Sequence, residues 1–245
     1  MDISSLIVDL VDANHILFQQ GIVDAFGHVS VRHPLRPERW FMARNMAPAQ
    51  VQAADIIEYE VVTGEAVASE APRLYLERYI HSEIYKARPD VMAVVHNHSP
   101  AVLPFGIAKG ASLRPACHMC GFLANASGNG PPVFEIRDSA GIASDLLIRT
   151  RELGAALART LADQCVVLMR GHGCTVVAGS LRLAVYRAVY TEVNARLLLQ
   201  ALPLGEVTTL SAGEAASARD AVEGQVDRPW NLWKQQAANG SQRQP

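Results

Sequence analysis

The chain has no apolar run near the roughly 20 residues needed to cross a bilayer, so a membrane-spanning helix is not expected. It also lacks charge of one sign. Its 22 Lys and Arg against 24 Asp and Glu leave a formal net charge of −2, without the basic footprint that nucleic acid or anionic lipid requires. Cysteines number only four, and Cys117 and Cys120 form a single C-x-x-C. No second pair completes a structural zinc site, and no strand–helix context suggests a thioredoxin-like one. Free thiols in a reducing compartment are expected. The opening "MDISSLIVDLVDANHILFQQ" lacks the basic n-region of a signal peptide, which points to a cytoplasmic protein. There is no internal repeat, and no Pro-, Gly- or Ser-rich linker. What remains is 245 residues, 49% of them hydrophobic, enough for one domain with a sizeable core.

Residues 3–20 place Ile3, Leu6, Ile7, Leu10, Val11, Ile16 and Leu17 at helical spacing, with Gly21 as a stop. Helical patterns also run through residues 72–90, 144–163 and 181–202. Strands are predicted around Val29 and Val31, at 39–44, 55–67 and 91–100, after the loop at 130–132, and as a pair around a glycine turn within 165–180. This order predicts one α/β domain over residues 1–210. Residues 211–245 read as a partly flexible extension, whose "RPWNLWK" suits packing on its own surface or on a neighbouring subunit.

Of the eight histidines, His15 and His33 read as structural or surface residues. His96 and His98, in "VVHNHSP", lie two apart at the end of an apolar strand and so share one face. His172 stands between glycines in "RGHGC", where the backbone can approach a bound group closely. Strand ends are where α/β sheets expose functional groups. Three imidazoles and a carboxylate suit a divalent transition metal. Glu77 is four residues before His81, on one face of the helix that feeds the His96 strand. Packed antiparallel, that helix returns Glu77 toward the strand end. On these grounds alone, H-x-H remains open between a ligand pair and a hydrogen-bonded turn, and Glu77 could be a solvated helix charge.

Three blocks in order, "GHVSVR", "ERYIHSEIYKARPDVMAVVHNHSP" and "VVLMRGHGCTVVAGSLRLAVYRAVYTEVNA", resemble the class II aldolase/adducin family over residues 5–205. The resemblance implies an α/β domain with a central mixed or antiparallel sheet between helices, in a homo-oligomer, usually a tetramer. It further implies one divalent metal per subunit (Zn, Mn, Fe or Co) on His96, His98 and His172. Glu77 falls on the family's acidic position, as fourth ligand, acid/base group or both.

The phosphate-holding motifs of the sugar-phosphate members are missing. "GHVS" carries His28 where they have Asn. "FMARNMAPAQ" carries Arg44 in place of a Thr-Pro-Ser-Gly loop, and Tyr75 and Leu76 replace two serines before Glu77. Phosphate needs closely packed hydroxyl and N–H donors. A guanidinium fork suits a carboxylate, although a surface salt bridge would explain Arg44 equally well. At the family's aldol tyrosine stand His118 and Met119. The chain thus resembles the branch that decarboxylates hydroxylated aromatic dicarboxylates such as hydroxypyridine-dicarboxylate and dihydroxyphthalate. That branch implies a carbon–carbon lyase without an organic cofactor, in which the metal stabilises an enolate-like carbanion. Glu77, His28 or His118 would supply the proton, while Arg44, Tyr75 and Tyr190 would hold the aromatic acid. Tyr190 also fits as core, and Glu192 beside it is a further candidate. The alternatives are an aldolase or epimerase acting on a non-phosphorylated hydroxy-ketone, and a non-catalytic adducin-like module.

Overall fold

The amphipathic pattern at the N-terminus forms helix α1, Ile3–Gln19, whose Leu6, Leu10, Ile16 and Leu17 are buried. A computed structural model describes residues 2–241. Strands β1 (His28–Arg32), β2 (Arg39–Ala43) and β3 (Ile56–Glu60) follow, then α2 (Arg78–Ala87), β4 (Ala93–Asn97) and the short α3 (Leu103–Ile107). After a 3-10 turn at His118–Leu123 come β5 (Val133–Phe134), α4 (Arg137–Ala140), α5 (Arg151–Leu161), β6 (Val166–Met169), β7 (Gly173–Ala178) and α6 (Leu181–Ala201). Helices α7 (Ala212–Glu223) and α8 (Asp227–Ser241) end the described chain.

Among the described residues seven strands make one mixed sheet in the order β3-β2-β1-β4-β7-β6-β5, with β5 and β6 parallel and the other neighbours antiparallel. Side chains alternate across it. Val29, Val31, Val95 and Val176 face the layer of α1, α6 and α8, while Val94, Val177 and Val167 face that of α2 and α5. The result is one α/β domain of three layers. His28, Ser30 and Arg32 alternate with the valines of β1, which puts them on the α2 side. Arg32 spends its guanidinium on the Tyr85 and Arg88 carbonyls at the C-terminus of α2, fixing that helix against the sheet.

Several boundaries differ from the expected ones, the starts of α2 and α5 most. Helix α2 starts at Arg78 rather than near Pro72, because Asn45 N–H bonds to the Arg73 carbonyl and the Tyr75 hydroxyl to the Met46 carbonyl, holding residues 73–75 against the end of β2. Helix α5 starts at Arg151 rather than 144. Ser144 and Asp145 turn the chain by accepting the Leu146 and Leu147 N–H groups, and Thr150 is the N-cap. Beyond residue 210, in the expected extension, the chain forms α7 and α8 as far as Ser241. Trp230 and Trp233 enter the core beside α1, and Lys234 pairs with Asp12 at 2.6 Å. Residues 242–245 of the expected extension lie outside the described residues. Among the described residues no helix is long and apolar enough to cross a membrane.

Candidate metal centre and its cavity

Antiparallel pairing brings the chemistry to one end of the sheet. His28 at the start of β1 lies opposite His96 near the end of β4, and Asn97 lies opposite Cys174. His98, just past β4, and His172, just before β7, therefore meet at the same edge. Gly171 takes φ +67°, a left-handed turn open to glycine at little cost. At Gly173 a Cβ would fall 2.1 Å from the Asn97 carbonyl oxygen, so only glycine allows this approach.

Glu77 reaches the group from the N-cap position of α2. Its Oε2 is 3.5 Å from His172 Nε2 and 3.8 Å from His96 Nε2, while His96 Nε2 and His98 Nε2 are 3.2 Å apart. One donor atom from each of Glu77, His96, His98 and His172 lies within 4.8 Å of the others. The second carboxylate oxygen accepts the Ile148 N–H at 2.9 Å, which fixes the carboxylate plane. Behind His96, the Thr175 hydroxyl donates to Met169 Sδ and so accepts from His96 Nδ1, leaving the Nε2 lone pair aimed into the cluster. Burial first, then neighbouring histidines, hold His96 well below the ordinary imidazole pKa, and His98 is lowered for the same reasons. Neutral nitrogens facing each other with a carboxylate beside them are a donor set that fits a divalent cation.

A cavity of about 450 Å³ opens on this cluster, lined by His28, Glu77 and His98 with Tyr75, Asn45 and Arg73. Phe26, Met46, Leu76 and Leu147 supply apolar wall. His28 is buried, and burial, followed by His81, pushes its pKa well below the usual value. The ring of Tyr75 sits 4.7 Å from that of His28.

The chain belongs to the class II aldolase and adducin family. The family's model, "Class II Aldolase and Adducin N-terminal domain", matches residues 8–199. The decarboxylase tropJ of Talaromyces stipitatus is 38% identical over 92% of this chain and 91% of its own length. A 3,4-dihydroxyphthalate decarboxylase of Arthrobacter keyseri is 31% identical, covering 79% of this chain and 77% of that one. Among solved structures, an aldolase II superfamily protein from Pseudomonas syringae superposes with TM-score 0.75 at 20% identity, over 96% of this chain and 93% of that one. The L-fuculose 1-phosphate aldolase of Glaciozyma antarctica gives TM-score 0.74 at 21% identity, over 94% and 87%. The chain is thus a lyase-type enzyme on the decarboxylase side of this aldolase family.

Several expected residues take other places in this aldolase-family fold. Arg44 does not line the cavity; its Nε binds Asp55 Oδ1 at 2.7 Å. His118 and Tyr190 line a separate cavity of about 500 Å³ with Tyr186 and Trp233. That follows from their elements, the 3-10 turn and α6, which pack on the far layer from Glu77. Glu192 is buried against the Ala101 N–H, also away from the metal cavity. Cys117 and Cys120 stand 3.3 Å apart as free thiols, and their hydrogen bond lowers the Cys117 pKa to about 6. Sequence reading missed Arg73, Asn45, Thr175 and the Ile148 N–H. It noted His81 only as a neighbour of Glu77, and Ser30, two residues after His28 on the same strand face, was its available signal.

Proposed function

We propose that the protein is a divalent-metal-dependent, non-oxidative decarboxylase of a hydroxylated aromatic dicarboxylate. One observation carries this reading: a three-histidine, one-carboxylate cluster opens on a largely apolar cavity that has a single strong cation, Arg73, in its lining. His96, His98, His172 and Glu77 would hold one Zn2+, Mn2+, Fe2+ or Co2+ per subunit. When bound, the metal supplies Lewis acidity for the electron pair left on the ring after the carboxylate departs.

The protein's own groups do the rest. Tyr75, Met46 and Leu147 offer walls for a flat ring. The Arg73 guanidinium, without a hydrogen bond or ion pair among the described residues, grips one carboxylate through its planar fork and takes the part expected of Arg44. Glu77 accepts the phenolic proton as substrate enters. The bond to the second carboxylate breaks, its electron pair stays on the ring carbon, and CO2 leaves. Glu77 then returns its proton to that carbon, and the phenolate regains one from water. No organic cofactor takes part. His118 and Tyr190, which line the separate cavity, take no part in these steps. The protein works as a homotetramer in the cytoplasm.

Incubating metal-replete protein with hydroxylated phthalates and hydroxypyridine dicarboxylates should release CO2, and chelator treatment should stop it. Aldehyde formation from a ketol, with no CO2 from any aromatic acid, would replace this reading with the aldolase or epimerase one.

A further inference from the structure

Behind His28 runs a chain of polar groups that the steps above leave unused. His28 Nδ1 is 2.6 Å from His81 Nε2, His81 Nδ1 is 2.6 Å from Ser30 Oγ, and Ser30 Oγ is 2.7 Å from the Tyr85 hydroxyl. His81 and Ser30 are fully buried and Tyr85 nearly so. His81 also lies flat against Trp40, with ring centroids 5.6 Å apart and planes 6° from parallel. None of the three lines the metal cavity, so they reach a substrate only through His28.

The direction of the chain follows from its buried end. Among the described residues the Tyr85 hydroxyl bonds Ser30 Oγ and is otherwise met only by the Val94 backbone N–H, which is itself a donor. The phenolic hydrogen therefore has only Ser30 Oγ to accept it, and a buried donor without an acceptor is strongly disfavoured. Ser30 Oγ keeps a second lone pair, but if it also accepted from His81 its own buried hydrogen would have no acceptor among the described residues, so it donates to His81 Nδ1. That nitrogen is then the one with the lone pair, so His81 carries its hydrogen on Nε2 and donates it to His28 Nδ1. His28 is left with its hydrogen on Nε2, the nitrogen free for the cavity it lines.

We infer that Tyr85, acting through Ser30 and His81, sets His28 as the Nε2–H tautomer, a neutral hydrogen-bond donor to an anionic oxygen of the substrate. The inference rests on the decarboxylase reading for its substrate, while the tautomer rests on the buried chain alone. Because the chain ends in the interior, it has no route for replacing a lost proton. His28 thus holds a substrate oxygen, and the proton for carbon comes from Glu77. Tyr85, Ser30 and His81 are positioning residues.

The test uses full-length, zinc-loaded protein labelled with 15N-histidine. Long-range 1H–15N correlation reads each tautomer, and the spectrum of His28→Gln identifies the His28 signals. Wild type should show His28 protonated at Nε2. Tyr85→Phe and, at a second link, Ser30→Ala should move it to Nδ1–H or to a mixture. Both should lower kcat about tenfold with KM within about twofold, and leave zinc content unchanged. An Nδ1–H tautomer in wild type overturns the inference. So does a wild-type tautomer retained in whichever of the two variants folds. Absence of CO2 release by the wild type would instead strike the decarboxylase reading, and the tautomer would still be read from the spectrum.

Discussion

At the scale of single residues, Arg44 and Arg73 are separated by what they touch. Arg44 is committed to Asp55, whose carboxyl is held below its usual pKa first by that hydrogen bond. Arg73 lines the metal cavity with its guanidinium unengaged among the described residues. Arg73→Ala should therefore raise KM for a dicarboxylate by about 10- to 100-fold, the worth of a hydrogen-bonded charge pair, in steady-state assays. Arg44→Ala should leave kcat/KM within about twofold and cost at most about 1 kcal/mol in denaturant unfolding, as partly exposed pairs do. If Arg44→Ala shows the larger KM effect, the assignment of Arg73 fails. Thr175→Val tests the orientation of a ligand rather than the ligand. Losing the acceptor for His96 Nδ1 should weaken metal affinity about 10- to 100-fold by competition with a chelator, whereas His96→Ala should abolish retention.

At the scale of elements, the site depends on the close meeting of β4 and β7. Gly173→Ala places a methyl where the Asn97 carbonyl oxygen stands, so the strand ends must part and His98 and His172 must separate. Loss of metal together with a cost of about 1–3 kcal/mol is expected, read by metal analysis and thermal unfolding; unchanged metal content would show that the edge can yield without moving the ligands. This strand pair was the legible part of the site. Apolar runs, the H-x-H and the glycine-flanked His172 each announce a strand end, and period-two alternation puts both histidines of the pair on one face. The carboxylate support was less legible. Leucines and arginines at helical spacing concealed the loop before α5, yet residues 144–149 form a turn with Leu146 at φ +69° and deliver the Ile148 N–H to Glu77. A left-handed leucine is a local cost that pattern reading has no means to foresee, because the tertiary bond from Ile148 to Glu77 and the burial of Ile148 act beside the local Ser144 and Asp145 bonds. Arg73 was hidden for a related reason. Its segment reads as the first turn of α2, and contacts to Asn45 and Met46 hold it out of the helix.

At the scale of the whole molecule, polar groups that serve the site are buried between sheet and helix, and that placement couples stability to pH. His81 is wholly buried, and desolvation lowers its pKa to about 3 from an ordinary value of 6.5. In the native state it stays neutral as pH falls below 6.5, while in the unfolded chain it takes up a proton. The unfolded state then binds more protons than the native one, so stability declines with falling pH across the window from 6.5 to about 3. Each pH unit inside that window costs about 1.4 kcal/mol per such histidine, so His81 alone removes about 2 kcal/mol between pH 6.5 and 5. His28, lowered in the same direction by burial and by His81, steepens the slope. Guanidinium titrations at pH 7, 6 and 5 on chelator-treated protein should show the unfolding midpoint dropping at each step, with flattening above 7. His81→Phe keeps a flat ring against Trp40 and removes the titrating group. That variant should start less stable at pH 7, because Ser30 and His28 lose a buried partner, yet lose less on acidification. Parallel pH profiles for the variant and the wild type would mean that the interior admits a charged His81, and that the buried chain is more open to water than its distances imply.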